Sequence, residues 1–261
     1  MKIGIISGSG FYEYPELENI DKIKIKTRFG TADLFKGTLK TKEIYYINRH
    51  GDNHGILSHQ VNYRANMCAL KDVGVDCIIG TSVMGVLQKE IPLGIIFVFN
   101  DLFFLDNRLP NGETCTVFNE IDEKDKGHLI FSTPFSNTLQ NVILNSIKAL
   151  NYEYYDKAVY AHVNGPRFNG KTEIKVLSSL GLTALSQTAG PEIVLAGELE
   201  IPYQLIGFGV DYANGVMEEP TSAQELNENI CKSNAMLRNL ITDAVEKLEG
   251  VAFDNGFVYR F

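Results

Sequence analysis

The sequence predicts an α/β fold: a single domain over residues 1–261 with a mixed, largely parallel central sheet flanked by helices. Three observations carry this. Strand-like apolar runs alternate with helix-periodic segments along the whole chain. Polar segments follow directly on several of those runs. The 261 residues, 44% hydrophobic and 21% charged, suffice for one packed domain and are too apolar for disorder. No repeat, low-complexity stretch or long Pro/Gly/Ser linker interrupts the chain.

Ile3–Ile6 is a short apolar strand closing in Ser7-Gly8-Ser9-Gly10. Glu43–Asn48, rich in Ile and Tyr, is a second strand and ends at Arg49-His50-Gly51. Val61–Val73 has helical spacing, with Ala65, Cys68, Ala69 and Leu70 in one stripe. Cys77–Gly80 reads as a buried strand leading into the loop Thr81-Ser82-Val83-Met84-Gly85, and Ile95–Phe99 as another strand. Leu139–Leu150 is a helix with Leu139, Val142, Ile143, Ile147 and Leu150 inward. Ala158–Val163 is a strand ending in Asn164-Gly165-Pro166-Arg167. Two helices follow, Thr172–Leu180 and Pro191–Glu200, then the strand Tyr203–Val210 running into Asp211, then the long amphipathic helix Ala223–Leu248. In open α/β sheets ligands bind beyond the carboxyl ends of the strands, so the five polar post-strand segments are expected to converge on one pocket.

Lysine and arginine total 24 against 32 aspartate and glutamate, a net charge of −8. This excludes a general nucleic-acid binder, which needs a basic face. It leaves room for a small anion held by one or two local arginines. No apolar run approaches the about 20 residues that span a bilayer, and Met1–Ile6 reads as a strand without a signal-peptide cleavage site. The expectation is a cytoplasmic protein with no membrane partner. Cys68, Cys77, Cys115 and Cys231 form no CxxC pair and are expected to be free, mostly buried thiols. His50, His54 and His59 are separated by turn residues, and HExxH is absent, so no metal site is expected.

Taken singly, the motifs are weak. Ser7-Gly8-Ser9-Gly10 lacks the Lys of a P-loop and the third glycine of a dinucleotide fingerprint; alone, it is best read as a strand-to-helix turn. Arg49 can grip an oxyanion bidentately, but Arg49-His50-Gly51 alone reads as a surface arginine and a satisfied histidine. Asp211 after an apolar strand fits a general acid with a raised pKa and a turn or cap residue equally well.

In combination they resemble the trimeric-type nucleoside phosphorylases, most closely the S-methyl-5′-thioadenosine phosphorylase branch. The resemblance rests on Ile3-Gly4-Ile5-Ile6-Ser7-Gly8-Ser9-Gly10, Arg49-His50-Gly51, Val61-Asn62-Tyr63-Arg64-Ala65-Asn66, Ala69-Leu70-Lys71, Gly165-Pro166-Arg167-Phe168, Pro191-Glu192 with Val194-Leu195-Ala196, and Asp211-Tyr212, in that order. It implies reversible phosphorolysis of a purine nucleoside, with inorganic phosphate as co-substrate and no cofactor or metal. It implies that Ser9, Arg49, His50, Ser82 and Thr188 bind phosphate and that Gln187 touches the ribose. Val83 and Ala213 would line the nucleoside, Phe168 and Asn169 would cradle the base, and Asp211 would support its departure, so Asp211 and His50 are the catalytic candidates. His128, seven residues before Phe135, matches a histidine that reaches a neighbouring subunit's 5′ group, which implies a homotrimer or a dimer of trimers.

Asn169 with Asp211 is the 6-aminopurine combination; relatives acting on 6-oxopurines typically carry Glu and Asn there. The expected reaction is S-methyl-5′-thioadenosine plus phosphate to adenine plus 5-methylthioribose 1-phosphate, in purine and methionine salvage. Gln187 stands where the family has Met, Val83 and Met84 replace smaller residues, and Ala213 replaces a second acid. These departures leave two alternatives: a 6-oxopurine nucleoside phosphorylase (inosine, guanosine or methylthioinosine), or a catalytically weakened paralogue acting as a binding or assembly partner.

Overall fold

The computed structural model describes residues 1–8, 14, 16–51 and 54–261. In chain order the elements are β1 (Lys2–Ser7), β2 (Glu18–Thr27), β3 (Gly30–Leu39), β4 (Lys42–Asn48), α1 (Tyr63–Asp72), β5 (Cys77–Val86), β6 (Ile96–Phe103) and β7 (Gly127–Phe131). Then come α2 (Asn137–Ala149), β8 (Tyr154–His162), α3 (Lys171–Ser179), β9 (Ala184–Ser186), α4 (Ala189–Glu198), β10 (Tyr203–Tyr212), α5 (Ala223–Lys247) and β11 (Gly256–Arg260). A 3₁₀ turn occupies Ser58–Gln60.

The sheet is mixed, as expected, and it curls into a closed ring. β5 pairs with β10, β10 with β6, β6 with β8, β8 with β9, and β9 returns to β5. From β5 the strands β1, β4, β3 and β2 extend outward as an open wing. The β1–β4, β1–β5, β5–β10, β6–β8 and β8–β9 pairs are parallel; β2–β3, β3–β4, β5–β9 and β6–β10 are antiparallel. β7 and β11 form a separate antiparallel ribbon.

The helices cover the sheet where their apolar stripes demand it. α1 and α4 bury Ala65, Met67, Leu70, Ile193 and Leu195 in one core. α2 and α5 bury Leu139, Ile143, Leu237, Leu240 and Ala244 in another. Asn62, Ser136 and Ser222 start α1, α2 and α5 by accepting from the N–H three residues on, at 3.1–3.3 Å.

Two differences from the sequence reading bear on the site. Thr81–Gly85 is not a loop: β5 continues to Val86, and Thr81 and Ser82 are buried within it. At Thr81 and Ser82 only β10 is paired with β5: β1 ends opposite Gly80 and β9 begins opposite Gly85, and in that gap the Arg49 side chain donates to Thr81 O. Asp211 likewise lies inside β10, just past a bulge between Gly209 and Asp211. The β2–β3 hairpin, β7, β9 and β11 are additional to the strands read from sequence.

Leu240 has no exposed surface and sits in the α2–α5 core. Leu240→Ala is expected to cost about 2–5 kcal/mol, seen as a lower urea midpoint at unchanged m-value.

Candidate active site

The site is built around Arg49. Its backbone N–H continues the β1–β4 ladder by donating to Ser7 O at 3.0 Å, which carries the side chain beneath the end of β1. That side chain has no exposed surface. Nε donates to Glu192 Oε1 at 2.5 Å and Nη2 to Glu192 Oε2 at 2.9 Å, a bidentate pair, while Nη1 donates to Thr81 O at 3.1 Å. Glu192, in the first turn of α4, also accepts from Tyr203 Oη at 2.9 Å. Burial alone would lower the Arg49 pKa; the Glu192 carboxylate overrides it and holds arginine above its ordinary value. Gly8 passes directly over this group: a Cβ there would lie 2.7 Å from Arg49 Nη1 and 3.5 Å from Thr81 O. Of the five guanidinium N–H groups, three are committed in these bonds.

His50 is buried beside Arg49, and its ring lies 4.3 Å from that of His54. Its Nδ1 is 2.8 Å from Ile56 O. A carbonyl only accepts, so Nδ1 carries the proton and Nε2 the lone pair. Burial, reinforced by the charge of Arg49, pushes the imidazole down to about 4, so it is neutral at pH 7.

A chain of hydroxyls leads from β5 to α4. Ser82 Oγ donates to Ser186 Oγ at 3.1 Å, or to its neighbour's carbonyl at Val83. Ser186 Oγ lies 2.8 Å from Tyr160 Oη, which accepts from Ala189 N at 3.2 Å. Thr188, the residue before α4, is buried, and its hydroxyl makes no capping bond. Hydroxyls, the guanidinium and the start of α4 therefore meet at one end of the ring.

The strand register fixes the other side. Ser82 is opposite Gly207 and Asp211 opposite Gly85, so the carboxylate lies about 10 Å along the sheet from the hydroxyl. Asp211 Oδ1 is 3.6 Å from where a Cβ on Gly85 would be. Burial pushes this carboxyl up to about 6. Asn214 Nδ2 donates to Asn169 O at 2.8 Å, joining the segment after β10 to the segment after β8. Asn169 Oδ1 is buried and has no hydrogen-bond partner among the described residues. Phe168 is 78% exposed. Val83 is half-buried in β5, and Ala213 is buried beside Gly85.

Two expected site residues are placed differently from the others. Gln187 does not present its amide to open space: Oε1 accepts from Ser58 Oγ at 3.0 Å and Nε2 donates to Arg167 O at 2.9 Å. His128 lies on the β7–β11 ribbon, stacked 5.4 Å from the Phe261 ring. That ribbon packs on Gly197 near the far end of α4, about 13 Å along the helix from Thr188. Ser9 lies outside the described residues.

Glu192, Ser186, Tyr160 and Ser58 carry much of this geometry without having been assigned site roles from sequence. One signal was available: Glu192 is an acid in the first turn of an otherwise strongly apolar helix. His162, at the end of β8, was also missed. Among the described residues neither ring nitrogen has a partner, and burial pushes its pKa down to about 3. Gly190 has no side chain because the His162 ring fills that space.

The comparisons agree with this architecture. Residues 2–246 match the model of the phosphorylase superfamily. The chain belongs to that superfamily. A probable 6-oxopurine nucleoside phosphorylase of Moorella thermoacetica is 36% identical over 94% of this chain and 92% of its own length. An S-methyl-5′-thioadenosine phosphorylase of Thermofilum pendens is 30% identical over 95% and 92%. The methylthioadenosine phosphorylase of Schistosoma mansoni in complex with adenine superposes with a TM-score of 0.86 at 26% identity, covering 94% of this chain and 91% of that one. The chain is therefore an enzyme, a nucleoside phosphorylase, as the resemblance implied. No helix among the described residues of this phosphorylase is long and apolar enough to cross a membrane.

Glu192→Gln leaves Arg49 buried and unpaired, so a loss of about 3–5 kcal/mol in urea unfolding is expected. Replacing both charges together with apolar side chains of similar length, Arg49→Met with Glu192→Leu, should recover most of it. His162 binds a proton more readily unfolded, near pH 6.5, than folded, near 3, so it removes stability as pH falls through that window. His162→Phe should flatten the fall in unfolding free energy between pH 6.5 and 4 by up to one proton's worth of slope.

Proposed function

We propose that this chain cleaves S-methyl-5′-thioadenosine, or a related 6-aminopurine nucleoside, with inorganic phosphate. The observation that carries this reading is the half-buried Asp211 carboxyl, raised to about 6. A protonated carboxyl offers one donor and one acceptor side by side. Adenine presents the complement on one edge, an acceptor at N7 and a donor at the 6-amino group; a 6-oxopurine presents two acceptors there. Asn169, whose buried Oδ1 has no partner among the described residues, supplies a further acceptor at the base.

In this reading phosphate sits by the Thr188 hydroxyl and the start of α4, with Ser9, Ser82, His50 and Arg49 around it. Arg49 acts with Glu192: the pair fixes the guanidinium and leaves two of its five N–H groups uncommitted for the anion. Neutral His50 offers Nε2 as an acceptor, which suits the O–H of hydrogen phosphate. A phosphate oxygen forms the new bond to C1′ as the C1′–N9 bond breaks. The bonding pair goes to the purine, and the Asp211 proton goes to N7. The phosphate's negative charge stabilises the cationic ribosyl group between them. Gln187 offers its backbone to the ribose, Val83 and Ala213 line the pocket, and Phe168 covers the base. Phosphate is a co-substrate, and the chemistry asks for no further cofactor or metal.

Residues 1–261 act as one domain within a homotrimer or a dimer of trimers. His128 supports this, because it lies at the wrong end of α4 for its own chain's site and amid exposed Ile130, Phe257, Tyr259 and Phe261. The cellular reading is a cytoplasmic enzyme of purine and methionine salvage. A second reading, a 6-oxopurine phosphorylase, is favoured by the greater identity to the Moorella relative (36%) than to the Thermofilum one (30%).

Base release from methylthioadenosine, adenosine and inosine, each with and without phosphate, tests the reading. Adenine released only with phosphate, fastest from methylthioadenosine, is expected. Hypoxanthine as the preferred product would overturn the base assignment; no release at all would leave a binding or assembly role. With Asp211 as the acid, kcat/KM for methylthioadenosine should fall as pH rises past about 6. In Asp211→Asn that limb should vanish, with adenine release down by at least about 100-fold and hypoxanthine release favoured relative to it.

A further inference from the structure

Gln187 stands where three segments meet. Its backbone lies between Ser186, in the hydroxyl chain, and Thr188, at the start of α4. Its Oε1 accepts from Ser58, in the segment that leaves His50. That segment is pinned to His50 twice, by Ile56 N donating to His50 O at 2.9 Å and by His50 Nδ1 donating to Ile56 O at 2.8 Å. Tyr63 Oη holds it from the other side by donating to Ser58 O at 3.0 Å. The amide's Nε2 donates to Arg167 O, in the segment that carries Phe168 and Asn169. A side chain at Gly165 would run into both Gln187 Oε1 and Ser58 Oγ, so the three positions fit only with glycine there.

We infer that Gln187 is a positioning residue whose side-chain amide couples the phosphate-side segment to the base-side segment, so that filling one side raises affinity on the other. The inference rests on the phosphorolytic reading above and says what the glutamine adds to it. An amide joins a hydroxyl donor to a carbonyl acceptor because it is both acceptor and donor. Methionine, of nearly the same length, is neither; ionised glutamate accepts but does not donate. Phosphate against His50 and Thr188 orders both neighbours of the amide. Through Arg167 O that constraint reaches the segment bearing Phe168 and Asn169, which would cradle the base. Linkage makes the effect reciprocal: base tightens phosphate by the same factor.

Calorimetric titration of adenine and of hypoxanthine, each with and without saturating inorganic phosphate, tests this in the wild type, Gln187→Met, Gln187→Glu, Ser58→Ala and the Gln187→Met/Ser58→Ala double variant. Phosphate is expected to tighten purine binding at least about fivefold in the wild type, and by less than about twofold in each variant. The double variant should be no worse than Gln187→Met, because both changes cut the same connection. In Ser58→Ala, affinity for phosphate alone should stay within about twofold of the wild type. A variant that retains the wild-type ratio overturns the inference. So does purine binding weakened equally with and without phosphate, which is the mark of a packing role. Should Gln187→Met fail to fold, Ser58→Ala reads the same ratio from the other end of the connection. A wild type that binds both ligands without coupling overturns the coupling alone, whereas one that binds neither overturns the functional reading with it.

Discussion

The arrangement depends on one buried ion pair. Arg49 brings a permanent positive charge to a place that no solvent reaches, and Glu192 makes that tolerable. The pair also fixes geometry: Arg49 follows β4, Glu192 opens α4, Thr81 lies in β5, and Tyr203 begins β10. Four segments distant in sequence are thus joined through one ion pair, Tyr203 by way of the Glu192 carboxylate. Apolar packing alone would leave these elements free to slide by fractions of an ångström; a bidentate fork does not. Gly8 follows from this constraint, because no Cβ can pass over the guanidinium.

Around the pair the electrostatics divide into two zones. At one end, burial, reinforced by the charge of Arg49, keeps the His50 imidazole neutral, and Ile56 O fixes its tautomer. At the other, a carboxyl half-buried past a strand bulge holds its proton closer to neutrality than an exposed aspartate would, because burial disfavours its charged form. The same low-dielectric surroundings act on both groups, in opposite directions, because burial disfavours whichever form is charged. The β5–β10 register sets the spacing between the zones, and that is a property of the sheet rather than of any loop.

Much of this was legible in the sequence because the elements obey their periods. α1, α2 and α5 carry clear apolar stripes and fall within a few residues of where the spacing put them. The strand ends were misread for a physical reason. Thr81 and Ser82 look like loop residues, yet β5 stays paired with β10 through both, and the Ser82 hydroxyl bonds sideways to Ser186. The β2–β3 hairpin alternates Ile with Lys at the outer edge of the wing, and this period of two was not taken up. The roles of Ser186, Tyr160 and Ser58 come from contacts between segments far apart in sequence, which no local pattern encodes. Gln187 was visible as a departure from the family. What the sequence could not reveal is that its amide is already engaged at both ends.

The closed ring of strands has a consequence for how the chain is made. β5 (Cys77–Val86) obtains β1 along one edge early, but its other edge is covered only by β10 (Tyr203–Tyr212). Translation at about 5–20 residues per second puts on the order of ten seconds between the two. Throughout that interval a nascent strand with buried-type residues such as Ile78 and Ile79 shows a bare hydrogen-bonding edge. Glu192 emerges only shortly before β10, so Arg49 too waits without its counter-ion. The second hydrogen-bonding edge of β5 can therefore be covered only after β10 has been made and the ring closes.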